Sequence, residues 1–292
     1  MLKKCLYTSF LLALAFPHAL QGQAGFTVPD YFDQFFNNYY FVNPANTDSS
    51  YKVSIKVADK SQIGLLQGVT KIYGDADLRL NTGRRQVFHF LGVQAISSKE
   101  GEFLRRSKLF ARYSWRSAVS ERASLSAGLS LGFVNYAFSS SQASAGGSAT
   151  APDGSAGIWY LREKMSVGIS VQQMFKGKVQ PIQQTFELNP HYNLNINRLF
   201  RLSPSMNLNS HFMSGFQKGQ RTALSLAALL ELQNKLEFGM NYRHGRSLAF
   251  IAGLKRISIG SSDFSLYFSY LSGITRIALN DNAIELFLSF QK

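Results

Sequence analysis

The sequence predicts an all-β fold, a transmembrane antiparallel β-barrel of about 14 strands with a short aromatic-rich N-terminal segment. Three observations predict it. The final stretch, Asn282 to Phe290, sets Ile284, Leu286, Leu288 and Phe290 on one face and Ala283, Glu285, Phe287 and Ser289 on the other, the period of a half-buried strand. An open sheet would leave such a strand with an apolar edge, whereas a closed barrel pairs it with the first strand. Strand-sized alternating segments also recur along the chain, and after residue 24 no apolar run exceeds five residues, as in Leu226 to Leu230. Finally, short and long connections alternate, as they do between the two ends of outer-membrane barrels.

In chain order, residues 1–24 read as a secretory signal and not as part of the fold. Lys3 and Lys4 precede a mostly apolar run from Cys5 to Phe16, then Pro17 and small or polar residues. The run is shorter than the roughly 20 residues of a spanning helix. Cys5 is the only cysteine, so the exported chain has none for disulfides, thiolate catalysis or metal binding. About 268 residues then remain, the size of one domain.

Residues 25–50 are assigned to a periplasmic or plug segment. Within it Tyr31, Phe35 and Tyr39, with Phe32, Phe36 and Tyr40, recur at steps of four and predict an aromatic stripe on a short helix, stopped by Asn43-Pro44. These six rings are either a plug packed on the barrel wall or a surface for a partner.

Residues 51–292 are assigned to the barrel. Tyr51, Val53, Ile55 and Val57 alternate with Lys52, Ser54 and Lys56; residues 62–80 read as one or two strands interrupted near Gly74. The expected strands that follow are 87–96, 103–116, 123–138, 155–161, 166–173, 184–197, 202–213, 222–231, 235–243, 247–255, 263–271 and the closing one. Arg162-Glu163-Lys164, the turn near Arg198 to Phe200 and Gln233-Asn234 are the tight connections. The longer ones are residues 139–154, a low-complexity outer loop, 174–183 and 214–220. An even strand number puts both termini in the periplasm.

The composition carries 24 Phe and 13 Tyr, and the net charge of +14 falls to +12 without the two signal lysines. In an exported chain whose cations are spread over many strands, this balance points to a basic lumen or an anionic envelope partner, with no nucleic acid. If their face is inward, Arg106, Lys108, Arg112 and Arg116 form a lumen ladder that could draw anions, unless acidic residues across the lumen neutralise it. The four histidines after the signal are scattered, and no Gly-x-Ser-x-Gly elbow occurs. No catalytic residue, metal site or cofactor is expected.

Gln34, Asn38 and Asn43-Pro44-Ala45 ahead of the first strand are similar to the PorP/SprF family of outer-membrane barrels. The likeness continues through Lys99-Glu100-Gly101, Tyr113, Leu125-Ser126-Ala127-Gly128-Leu129, Asn135-Tyr136, Val167-Gly168-Ile169-Ser170 and His191-Tyr192. Gly239 to Arg243, with Tyr242, then Tyr267-Phe268-Ser269-Tyr270 and Glu285 complete it. The chain departs from the family pattern at Asn46, Leu271 and Asn282-Ala283-Ile284, which leaves the branch open. The resemblance implies an accessory of type IX protein secretion and gliding motility, and not an enzyme. Its expected partners are outer-membrane lipid and a secreted or surface-anchored protein, bound through its C-terminal domain, or periplasmic components of the machine. The alternative is a general diffusion or anion-preferring porin, which single-channel conductance distinguishes.

Overall fold

The computed structural model describes residues 32–64, 67–80, 87–140, 145–274 and 282–292. Fourteen antiparallel strands form a closed barrel. In chain order its first seven strands are β1 (Val53–Ile63), β2 (Thr70–Leu80), β3 (Val87–Glu100), β4 (Leu104–Ser120), β5 (Ala123–Phe138), β6 (Gly147–Arg162) and β7 (Met165–Gln172). A two-stranded ribbon, β8 (Lys178–Val179) and β9 (Phe186–Glu187), interrupts the sequence of barrel strands. The barrel resumes with β10 (His191–Ser203), β11 (Met206–Gln217), β12 (Ala223–Leu232), β13 (Leu236–Arg243), β14 (Ser247–Ile259), β15 (Ser262–Gly273) and β16 (Asn282–Gln291).

Closure is made by β1 and β16, with Lys56 opposite Ser289 and Lys60 opposite Glu285. It extends past the strand ends, where the Lys52 and Val53 amides donate to the Lys292 carbonyl at 2.6 and 2.8 Å. Closure removes the free sheet edge, which is what a strand fold needs where no water can satisfy backbone groups. The face pattern on β16 is the expected one: Ile284, Leu286 and Leu288 are 37–47% exposed, while Ala283, Glu285 and Phe287 are buried. The same alternation on the other strands wraps the barrel in an apolar outer surface, including Leu91, Val93, Leu131, Phe133, Ile169, Phe250 and Phe268. Such a surface is matched to hydrocarbon.

At the end that bears the termini the connections are two or three residues long, except that six residues, 81–86, separate β2 from β3. Gln233 and Asn234 both take positive φ, 51° and 58°, the pairing of a type I′ hairpin whose twist suits two-residue loops. Pro204-Ser205 joins β10 to β11. The turn expected near Arg198 to Phe200 is therefore displaced to the proline, which cannot continue a ladder; β10 runs unbroken through those residues. At the far end most connections are longer, although 101–103 and 244–246 are three-residue turns, and the longest, residues 173–190, carries the ribbon.

Two further expectations change. Residues 62–80 contain the end of β1 and all of β2, which continues through Gly74. The low-complexity stretch 139–154 is not all loop, because Gly147 to Gly154 belongs to β6 and pairs with β5 from Gly147 opposite Phe138 onward. Small residues carry no helical or strand period of their own, and here pairing with a long neighbour decides.

Candidate functional site

The hydrophobic core of this barrel lies in its lumen. Phe32, Phe35, Tyr39, Phe41, Val42 and Ala45 from the N-terminal segment pack with wall residues including Ala58, Tyr73, Trp159, Met213, Leu229, Ile251, Tyr267 and Phe287. These wall residues lie on strands around the whole circumference, so residues 32–50 fill the bore. The segment is not an α-helix. Two 3-10 turns, Phe35–Asn37 and Tyr39–Phe41, are separated by Asn38 at φ −149°, whose side chain accepts from the Tyr40 amide. A continuous helix would align the rings in one stripe; the broken form sends them to different walls, and tertiary packing overrides the local period.

Four of the six predicted aromatic positions, Phe32, Phe35, Tyr39 and Tyr40, are at most 5% exposed. Phe36 is half-buried and stacks on His211, with centroids 5.1 Å apart. Tyr31 and the signal stretch lie outside the described residues. Phe32 meets Phe41 edge-on at 5.1 Å and Tyr39 approaches Trp159 at 5.0 Å, spacings at which rings attract beyond simple burial. Burial pushes the Tyr39 phenol well above its ordinary range. It therefore keeps its proton and faces His211 Nδ1 at 2.8 Å.

The polar residues of the motif are the segment's anchors. At its upper end, toward the long connections, the Asp33 and Gln34 amides donate to the Glu285 carboxylate at 2.7 and 3.0 Å. Lys60 Nζ lies 2.6 Å from Asp33 Oδ2, and Arg243 3.5 Å from Asp33 Oδ1. Asn241 donates to the Asp33 carbonyl at 2.7 Å. The Gln34 side-chain amide donates to Ser269 Oγ and to the Glu285 carbonyl, both at 3.1 Å. Midway, the Asn38 amide donates to the Tyr73 hydroxyl.

Asn43 is fully buried. Its amide donates to the carbonyls of Ile158 and Ile169 on the paired strands β6 and β7, at 3.2 and 3.1 Å, and its oxygen accepts from the Ala45 amide at 2.9 Å. Ser114 Oγ then donates to the Pro44 carbonyl at 2.5 Å, and Ser170 Oγ to the Val42 carbonyl at 2.6 Å. The wall has been cut back to admit this turn. A Cβ added at Gly128 would stand 2.3 Å from the Pro44 oxygen, and one at Gly157 would stand 2.1 Å from Asn43 Oδ1. Gly128 and Gly157 face each other across β5 and β6. Asn43→Ala leaves two strand carbonyls and the Ala45 amide without this partner, a loss of about 1–3 kcal/mol in docking. Limited proteolysis of the folded barrel reads it as faster cleavage within residues 32–50, with the strands still protected.

The predicted basic ladder faces inward and is occupied. Arg112 is salt-bridged to Asp75 at 2.9 Å and approaches Asp77 at 3.8 Å, while its guanidinium lies 3.7 Å from the centre of the Tyr40 ring. Arg106 pairs with Glu100, and Arg116 donates to the Thr47 carbonyl at 2.9 Å. Lys108 is buried beside a cavity of about 30 Å³ bounded by Phe41, Gln94, Asp153 and Gln172, space for one or two waters. Burial first, and then the Asp77 carboxylate, raise the Tyr40 phenol well above its ordinary range. The neutral ring is thus the face on which the Arg112 cation rests.

Of the other motif residues, Gly239 lets β13 approach its neighbour, since a Cβ there would meet the Ala228 oxygen at 2.2 Å. Tyr242 is on the outer, lipid-facing side, 39% exposed. Sequence reasoning did not assign roles to Lys60, Asp75, Asp77, Asn241, Ser114 or the glycine window. The Asp75-x-Asp77 alternation was available as a signal, as was Gly128 within the stretch resembling the family.

A family model described as type IX secretion system membrane protein PorP/SprF matches residues 25–290. No curated protein matches the chain. Among solved structures, the Ralstonia pickettii toluene transporter TbuX superposes with a TM-score of 0.57 at 11% identity, covering 86% of this chain and 92% of that one. The monoaromatic hydrocarbon channel CymD gives 0.55 at 12%, covering 82% and 87%. The P. putida toluene transporter TodX gives 0.50 at 9%, covering 83% and 89%. At such identities the likeness is one of fold, an outer-membrane barrel. With the match running from residue 25 to residue 290, the chain belongs to the PorP/SprF family of type IX secretion system membrane proteins and is an integral β-barrel of the outer membrane.

Proposed function

We propose that this barrel serves protein secretion by holding a secreted or surface protein, or by tying the periplasmic secretion machinery to the outer membrane, and that it does not conduct solutes. Both termini then face the periplasm, with the short turns, and the long connections face outward, the usual arrangement of such barrels. The observation that carries the reading is the filled lumen. A pore needs an aqueous path, whereas here residues 32–50 span the bore and are held at both ends and in the middle by buried and partly buried hydrogen bonds. The second cavity beside the segment, bounded by Phe32, Gln34, Tyr73 and Glu285, is about 10 Å³, no more than a water.

The porin alternative also loses its charged ladder, because Arg106 and Arg112 are committed to Glu100, Asp75 and Asp77 and Arg116 to the segment's backbone. With the aromatic rings turned to the wall, contact with partners falls to the two ends of the barrel. The purified wild-type barrel is expected to give no large steady openings in planar bilayers. Mild-detergent purification from the native envelope is expected to bring an exported protein or a periplasmic secretion component with it. Steady conductance together with recovery of lipid alone would overturn the reading in favour of a pore.

A further inference from the structure

The wall of this barrel is uneven. Strands β4, β5 and β6 have 17, 16 and 16 residues, whereas β7 has 8. Strand β6 is paired with β5 along its whole length, from Gly147 to Arg162, but with β7 only from Ala156 to Arg162. Residues 147–155 therefore rise beyond their neighbour on one side, roughly 30 Å of extended chain at about 3.3 Å per residue.

Among the described residues, no strand pairs with that side. Successive residues of a strand aim their N–H and C=O alternately to the two sides. Gly154 accepts from the Met174 amide at 3.1 Å, so its carbonyl points away from β5, and Pro152, Thr150 and Ser148 point the same way. These three are exposed. Ser148 and Thr150 present donors and acceptors, and Pro152 presents an acceptor alone. The chain around ribbon β8–β9 approaches this edge from the inner side, where a Cβ added at Gly177 would lie 3.2 Å from the Pro152 oxygen and one added at Gly147 would lie 2.0 Å from the Pro181 oxygen, so the edge stays open chiefly at Ser148 and Thr150. Val179, Phe186 and Leu188 pack on the inner face of the same wall, against Leu104, Phe110, Val134, Tyr136 and Ala151.

The height of this edge sets its surroundings. The outward side chains of the wall change from Leu109, Leu131, Phe133 and Ile158 to Arg105, Ser107, Asn135, Thr150 and Ser148 toward the long-connection end, so the upper part stands beyond the hydrocarbon. Exposed edges are ordinarily guarded by charged side chains, proline or a covering loop. Here residues 147–151 carry no charge and no proline, and Pro152 limits pairing only at its own rung.

We infer that the free edge of β6 takes up an extended segment of an exported protein as an added strand, backbone to backbone; the inference rests on the secretion reading above. Main-chain pairing supplies the affinity in this mode of recognition, and small flanking side chains leave the guest's own side chains unrestricted. A second copy of the barrel fits poorly. Two copies in one membrane are related by an axis along the bilayer normal, and strands tilted by about 40° then cross instead of aligning.

The test uses the full-length protein in its native outer membrane, with a photo-crosslinking amino acid in place of Ser148. The expected result is an adduct to an extended segment of an exported protein, reduced at least tenfold by T150P and retained in T150V. Thr150→Pro removes a donor aimed away from β5, so the barrel ladder is untouched; heat-modifiable migration on gels checks that it folds. As a second reading that needs no variant, the Ser148 and Thr150 amides of the wild-type complex are expected to exchange slowly only while the exported partner is bound. Adducts only to a second copy of the barrel, adducts indifferent to T150P, or amides that exchange at the same rate with and without partner overturn the proposal. If T150P still co-purifies the exported protein, edge docking fails while the secretion reading stands; if wild type recovers no exported protein or secretion component, both fail.

Discussion

Replacing Gly128 and Gly157 together by valine is expected to expel the N-terminal segment and turn a silent barrel into a conducting one. A side chain at Gly128 collides with main-chain atoms, the Pro44 oxygen at 2.3 Å and the Ala45 nitrogen at 2.5 Å, and these cannot rotate aside. At Gly157 the collision is with Asn43 Oδ1 at 2.1 Å, on the side chain that bridges the segment to both β6 and β7. Overpacking costs about 1–3 kcal/mol at each site, and the cost acts on docking, since both strands keep their backbone pairing. Single-channel recording is expected to change from no steady openings to frequent large ones, with heat-modifiable migration retained. A double variant that stays silent while residues 32–50 remain protected from protease would remove the plug from the account.

The second large effect is expected on stability. Arg112→Leu deletes the cation that faces both Asp75 and Asp77, with all three side chains at most 5% exposed. Removing one partner of a buried ion pair leaves uncompensated charge, at a cost of about 3–5 kcal/mol. The temperature at which the purified barrel loses its compact migration should fall markedly. Adding D75N and D77N should recover most of the loss, because neutral amides need no cation. Were R112L as heat-resistant as wild type, the carboxylates would have to be neutral already or solvated, and the ladder's role as internal neutralisation would fail.

The barrel was readable because its signal is local. Ile284, Leu286 and Leu288 alternate with Ala283, Glu285 and Phe287 whatever lies elsewhere, and a turn such as Gln233-Asn234 announces itself by its position between two alternating runs. Where local signal is weak the reading slipped. Residues 147–154 are small and polar and look like loop, yet β5 holds them as strand. The aromatic spacing of Tyr31 to Tyr40 matched a helix, but Asn38 breaks the turn and the rings separate to different walls.

Sequence alone thus determined the all-β class, the closing strand, the near-regular alternation of short and long connections and the membrane setting, all of which follow from a two-residue period repeated along the chain. Only the tertiary structure decided what fills the bore and which groups hold it there. Asp33 meets Glu285 across 252 residues and Asn43 meets Ile169 across 126, and no periodicity encodes such meetings. They exist because closing the sheet brings the last strand beside the first and encloses a space that buried amides and carboxylates fill and that Gly128 and Gly157, on neighbouring strands, leave open.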